Sequence, residues 1–389
     1  MAAQARHEQR APHCGRGTGP GRCRERERAM SKPILVGLLR LVDSAPLILA
    51  EADGLFAQQG IDVEIHIEPS WSNIADKLAY NILDAAVMLP PLALAACAGL
   101  RGPRTRLVVP MSLSQGGNAI VGNHAAANSL KADRSPPGIR LLEWLQAQQT
   151  RPRFAVVHAF STHNLLLRYW LASGGADPDR DIETVVIPPE EVVAALAAGT
   201  ISGFCAGAPW GDVAERENAG QILVGTSVIW PFHPEKCLCF SGAWSEANPE
   251  LTHRLLRAVL QAQVRCDRSE EAARIAALLA DPKRLNLPEE ASRAALPGGE
   301  GQERIRFHTR DAWFPARTHA LWFLGQMRRW GWLDERIDMA AVAAQVYRPD
   351  LLTSAVQAEG LYPAAGLPSL EGSAMLPMPN DEAFAPKLR

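Results

Sequence analysis

The chain has 389 residues, a formal net charge of −2, 47% hydrophobic residues and 21% charged residues. That balance suits a globular protein with room for two lobes of ordinary domain size, and it offers no basic excess to draw direct nucleic-acid binding. The apolar runs from Ala85 to Leu89 and from Ala93 to Ala96 stop well short of the roughly 18 residues of a membrane span, so no transmembrane segment is expected.

The first 29 residues carry seven Arg and three Glu among Gly and Pro. They lack the apolar stretch of about 7 to 15 residues that a secretory signal needs. Residues 1–30 are therefore expected to be a disordered basic arm. A cytoplasmic location follows, or a periplasmic one if the authentic start lies upstream.

From Pro33 onward, short apolar runs alternate with helical patterns, which predicts α/β layers on largely parallel sheets. A first lobe over 31–124 takes strands at Ile34 to Leu39, Val63 to Ile67, Ala85 to Met88 and Leu107 to Met111. Its helices are expected at Pro46 to Gln59, Ile74 to Asn81 and Pro90 to Cys97. The polar stretch Asn128 to Gly138 leads into a second lobe over 125–228. There the strands are Phe154 to His158, Thr184 to Ile187, Gly203 to Ala206 and Gln221 to Val224, with helices at His163 to Ala172, Glu190 to Ala198 and Trp210 to Asn218. Residues 229–350 turn helical (Glu250 to Arg265, Glu270 to Leu279, Arg310 to Trp330) and return to the first lobe. Residues 351–389 form a C-terminal extension, rich in Pro and Ala from Leu361 and expected to be extended. Two such lobes make a cleft, and ligands of open α/β sheets collect beyond the carboxyl ends of the strands.

Within the second lobe, Ser161-Thr162-His163-Asn164 starts a helix with capping residues, and helix starts receive anions. The seven cysteines show no paired metal-ligand spacing and read as reduced core thiols. Cys237-Leu238-Cys239 would place two thiols on one face of a strand, yet no second cluster completes a tetrahedral site. No metal, cofactor or catalytic residue is expected.

Ser161 to Trp170 resembles the substrate-binding proteins of the nitrate and bicarbonate ABC transporter family, and further matches follow in that family's order. Leu41-Val42-Asp43-Ser44-Ala45-Pro46-Leu47 with Glu51 to Phe56 looks like its opening strand and helix, and Ser70 to Lys77 like its aromatic binding loop. Gly117-Asn118-Ala119-Ile120 looks like its amide-bearing crossover. Leu171 to Gly175, Pro209-Trp210 and Pro234-Glu235-Lys236 extend the likeness, which covers Lys32 to Tyr347.

The resemblance implies a two-lobed, periplasmic-binding-protein-like (type II) clamp. Its ligand-binding residues would be Trp71, Asn118, His163 and Lys236, with His158 and Gln115 as fallback candidates near the site. Nitrate is planar and weakly basic, so it calls for donors and one compensating charge, and acceptors would harm it. Trp71 offers an indole N–H, Asn118 two amide donors and Lys236 the charge. One departure stands out: Ala208-Pro209-Trp210 lacks the acidic residue that commonly precedes Pro-Trp. That loss disfavours calcium-assisted bicarbonate binding and favours nitrate or nitrite.

Three functions follow in order of expectation. The first is a cytoplasmic nitrate sensor holding an RNA-binding antiterminator protein. The second is the substrate-binding component of a nitrate-type ABC importer, partnered by a permease. The last is an enzyme resembling thiamine-pyrimidine synthases, of which Cys237 to Phe240 is a faint echo, without a readable nucleophile–base pair.

Overall fold

The computed structural model describes residues 32–131 and 137–358, so the expected arm at 1–30, part of the polar stretch after Asn128 and the tail from Leu361 lie outside the described residues. In chain order the strands are β1 (Ile34–Leu38), β2 (Val63–Ile67), β3 (Ala85–Met88), β4 (Leu107–Ser112), β5 (Gln115–Gly116) and β6 (Asn118–Gly122). They continue with β7 (Arg153–Val156), β8 (Glu183–Val186), β9 (Gly203–Gly207), β10 (Gln221–Gly225), β11 (Cys237–Ser241) and β12 (Ile305–Arg306).

One five-stranded sheet has the order β2-β1-β3-β11-β4. Strand β1 is parallel to β2 and β3, and both β1 and β3 read as apolar runs without alternation, as strands covered on both faces do. Strand β11 enters antiparallel between β3 and β4. The sequence reading missed it in this sheet and expected a helical return after Val228. Every residue of Cys-Leu-Cys-Phe-Ser is buried, and a short uniformly apolar run carries no period to separate strand from helix.

The other five-stranded sheet runs β10-β6-β9-β7-β8, with β7 parallel to β8 and β9 and with β6 antiparallel to β9 and β10. The chain thus crosses between sheets before β6, ahead of the boundary at 124 read from the sequence. The turn is made at Gly116 and Gly117, with φ of 70° and 81°.

Two expected helices are interrupted. Gly54, at φ 64°, splits the Pro46 to Gln59 helix into Ala45–Ala52 and Leu55–Gln58. The Arg310 to Trp330 helix shortens to Arg317–Arg329, because Pro315 biases the residue before it away from helix and Arg310 itself has φ 56°. Helices at His124–Lys131 and Pro137–Gln146 take in both ends of the stretch read as polar from Asn128 to Gly138.

The two crossings run side by side. Leu113 N–H donates to Lys236 O at 2.7 Å, Glu235 N–H to Ser114 O at 2.9 Å and Gly116 N–H to His233 O at 3.1 Å. Gln263, buried in the Pro249–Cys266 helix, points Nε2 at the carbonyls of Ser112, Leu113 and Phe307, at 3.0, 3.0 and 2.8 Å.

Gly117 has no room for a side chain, since a Cβ there would lie 2.2 Å from Ile305 Cγ1. Gly117→Ala is expected to cost about 1–3 kcal/mol from backbone strain, with the clash added. Urea unfolding measures it, and an unchanged midpoint would contradict this account of the crossing.

Candidate functional site

The antiparallel insertions decide which residues meet. Cys237, opening β11, lies opposite Met88 at the carboxyl end of β3, and Asn118, opening β6, lies opposite Gly207 at the carboxyl end of β9. Asp43 follows β1, Trp71 follows β2 and His163 follows β7. Residues of both sheets therefore gather beyond the carboxyl ends of parallel strands, where the ligand crevice of such folds lies.

Two of them open helices. Ser70 Oγ accepts the Asn73 N–H at 3.2 Å and so caps Trp71–Ala79, with Trp71 as the first helical residue. Ser161 Oγ accepts the Asn164 N–H at 3.0 Å and caps Thr162–Ser173, with His163 in the first turn. Each cap satisfies one orphan amide and leaves the positive end of a helix dipole near the cleft, one from each sheet.

At the centre lies Lys236. Its Nζ donates to Glu235 Oε1 at 2.5 Å, sits 2.8 Å from Asp43 Oδ2 and lies 5.4 Å from the centre of the Trp71 ring. Asn118 Nδ2 donates to Glu235 Oε2 at 2.6 Å. His163 Nε2 is 3.3 Å from Glu235 Oε1 without hydrogen-bond alignment, and His233 Nδ1 is 3.8 Å from Oε2. Thr226 Oγ1 donates to Asn118 O at 2.9 Å and pairs with His233 Nε2 at 2.7 Å. None of Asp43, Trp71, Asn118, His163, His233, Glu235 and Lys236 is more than 2% exposed.

Several polar atoms here are buried without a hydrogen-bond partner: Trp71 Nε1, both His163 nitrogens, Asp43 Oδ1 and Asn118 Oδ1. Gly207 floors the cluster. A Cβ there would lie 3.3 Å from Asn118 Oδ1 and 3.6 Å from both Asp43 Oδ2 and His163 Nε2. At the rim, Arg40 and Glu190 approach to 3.7 Å across the two lobes, but the pair is exposed and contributes little.

The charges are set by burial and by one another. Burial pulls the His163 imidazole down to about 3, against the opposing pull of Glu235, so it is neutral at pH 7. His233 is lowered by burial too. Burial acts to raise Glu235, yet Lys236, with His163 and His233 beside it, carries the carboxyl down to about 2. For Asp43 burial wins over Lys236 and the carboxyl is raised. Burial acts to lower Lys236, but its two carboxylates hold it above the ordinary value.

All four residues expected at the site converge here. The expected shell of donors does not: Asp43 and Glu235 put two acceptors into it, and Lys236 is already engaged by both. Both carboxylates lie inside motifs quoted from the sequence, Leu41 to Leu47 and Pro234-Glu235-Lys236, where neither was read as a site residue. The two neighbours named from the sequence make other contacts. His158 Nδ1 accepts the Phe160 N–H at 3.0 Å, and Gln115 Nε2 donates to Arg310 O at 3.5 Å. Cys97, Cys205, Cys237, Cys239 and Cys266 are buried free thiols, and among the described residues no group of His, Cys, Asp and Glu is arranged to hold a metal.

Residues 27–280 match the NMT1-like family model. The chain is 32% identical to the nitrate/nitrite binding protein NrtA of Synechococcus elongatus over 348 residues, which cover 85% of this chain and 78% of that protein. It is 33% identical to the nitrate import ATP-binding protein NrtC of Synechocystis sp. over 354 residues, 87% of this chain but only 51% of that longer protein. Among solved structures, the periplasmic nitrate-binding protein NrtA from Synechocystis PCC 6803 superimposes with a TM-score of 0.80 at 30% identity, covering 87% of this chain and 92% of that one. The two-lobed α/β architecture is thus that of a periplasmic binding protein.

Proposed function

We propose that this chain, which belongs to the NMT1-like family, binds nitrate or nitrite in the interlobe cleft as the substrate-binding component of an ABC importer, working with a permease. The observation that carries the proposal is the burial, in one cluster, of Trp71 Nε1 and the His163 nitrogens without partners beside Lys236 Nζ and Asn118 Nδ2. The Trp71 N–H and the single N–H of the neutral His163 ring are unpartnered buried donors, which cost free energy unless a ligand supplies acceptors. A small planar anion supplies acceptors only, and the adjoining helix starts favour its charge. The reading is supported by the Glu235 carboxylate, itself planar, which accepts from Asn118 and Lys236.

The names of the relatives support the importer over the sensor. The sensor and its antiterminator partner rest on the arm at 1–30, which contributes no structural argument, and none of the relatives above carries that role in its name. Binding rather than catalysis is supported by Cys237 and Cys239, whose thiols burial raises above their ordinary range, opposite to what thiolate chemistry requires.

Thermal denaturation with nitrate, nitrite, bicarbonate and sulfonates tests the ligand. Nitrate or nitrite at 100 times its dissociation constant should add about 2.7 kcal/mol. Stabilisation by a sulfonate with none by either nitrogen oxyanion would overturn the assignment. Fractionation of a tagged protein expressed from its native upstream region tests the role. Recovery from the periplasm is expected, and recovery from the cytoplasm bound to an antiterminator would restore the sensor.

A further inference from the structure

We infer that Asp43 is a further binding residue of this cleft, taking up one proton from solvent as the anion enters and donating that proton to the ligand as a hydrogen bond. The inference rests on the anion-binding reading above. Its starting point is a count of charge. One ammonium, Lys236, faces two carboxylates, Glu235 and Asp43. The other titratable groups turned toward them are His163 from the Thr162–Ser173 helix, His233 from the second crossing, Cys205 from β9 and Cys237 from β11. Burial keeps both imidazoles and both thiols neutral at pH 7. With Asp43 ionised beside Lys236 Nζ, the cluster carries a single negative charge before any ligand arrives. A monovalent anion would double that charge in a site closed to water, and buried groups relieve such a cost by changing protonation.

The hydrogen bonds select the carboxylate. Glu235 receives Asn118 Nδ2 at 2.6 Å and Lys236 Nζ at 2.5 Å, with two imidazoles close by. Asp43 has Lys236 alone, 2.8 Å from Oδ2, and its Oδ1 is buried without a partner. Donors favour the ionised form, so the less solvated carboxylate protonates first. The environment pushes the two groups apart in that same direction, Asp43 up and Glu235 down.

Uptake forms one O–H bond on Asp43 and consumes one proton from the buffer, so the loaded cluster returns to a single negative charge. It also turns an acceptor that would repel nitrate into a donor that nitrate can use. Asp43 is placed for this, since its Oδ2 shares the floor over Gly207 with His163 Nε2 and Asn118 Oδ1.

Titration calorimetry of nitrate into the full chain, in buffers of different ionisation enthalpy near neutral pH, counts the protons. The observed enthalpy should vary linearly with that of the buffer, with a slope of about one proton. The dissociation constant should rise about tenfold per pH unit. Asp43→Asn keeps the shape and donates without a proton. Its slope should fall to near zero, its affinity should lose its pH dependence, and above neutral pH it should bind more tightly than the wild type. A merely structural Asp43 would instead weaken binding at every pH and leave the slope alone, which overturns the inference.

Nitrate bound by the wild type with no proton uptake also overturns it, as does loss of uptake in Glu235→Gln while Asp43→Asn retains it. Should Asp43→Asn fail to fold, the wild-type proton count and pH dependence decide. Failure of nitrate and nitrite to bind in any buffer sinks the anion reading and this inference together, whereas binding without uptake sinks this inference alone.

Discussion

Lys236→Met is expected to lose about 3–5 kcal/mol of folding stability along with anion binding, because removing one partner of a buried ionic cluster leaves uncompensated charge. The sequence cast Lys236 as a counterion waiting for the ligand. In the structure it already holds Glu235 Oε1 at 2.5 Å and Asp43 Oδ2 at 2.8 Å, with no exposed surface. Lys236 is what carries Glu235 down to about 2 against burial. Without it, burial acts unopposed and both carboxyls rise above their unfolded values. A raised folded value contributes stability that is present at low pH and lost as pH rises through it. Relative to wild type, the variant should therefore be least stable at neutral and alkaline pH and recover toward pH 5. Neutralising the whole cluster, in Asp43→Asn/Glu235→Gln/Lys236→Met, should restore most of the stability and none of the binding. Urea unfolding of both proteins decides, and a wild-type midpoint for Lys236→Met would remove Lys236 from its central place.

Much of this arrangement could be read from residue order. The alternation of apolar runs and helical patterns located β1, β2, β3, β4 and β7 to β10, and the Ser161 cap marked one helix start at the cleft, whereas the helix expected from Ile74 begins at Trp71 under the Ser70 cap, inside the stretch read as an aromatic loop. What escaped at the site itself has its deciding partner remote in sequence. Nothing near residue 237 says that β11 pairs with β3 and β4, some 150 and 130 residues earlier. That insertion alone brings Glu235 and Lys236 to the carboxyl end of β3. Likewise Asp43 reads as one more acidic residue in a loop until β11 sets Lys236 against it. Local signals did contain the helix break at Gly54 and the late start after Pro315, which were passed over in favour of a longer helical period.

Acid should unfold this protein earlier than its carboxylates alone would dictate, through histidines that the fold keeps neutral. His163 is pulled down to about 3 and His158 to about 4, in each case chiefly by burial, and His233 is lowered for the same reason. In the unfolded chain all three titrate near 6.5, so below that pH the unfolded state binds protons that the folded state refuses, and stability falls as pH falls. Each contributes up to about 1.4 kcal/mol per pH unit between its two values, so the three together approach about 4 kcal/mol per unit. Asp43 works in the opposite sense: its raised carboxyl takes protons in the folded state first and softens the slope at the lower end. Glu235, depressed to about 2, adds its own loss only once the pH drops below about 4.5. Against a total stability of about 5–15 kcal/mol, the histidine loss should bring the unfolding midpoint to roughly pH 5. Replacing His158, which lies outside the cluster, by Gln should flatten the slope, since it removes one of these contributions and leaves those of the other histidines lowered by burial, His308 and His319 among them. Urea midpoints measured from pH 8 down to pH 5 give the test. A midpoint that stays level to pH 5 would mean that these imidazoles are protonated in the folded protein, and the charge count from which proton uptake at Asp43 was inferred, with both imidazoles of the cluster neutral, would not hold.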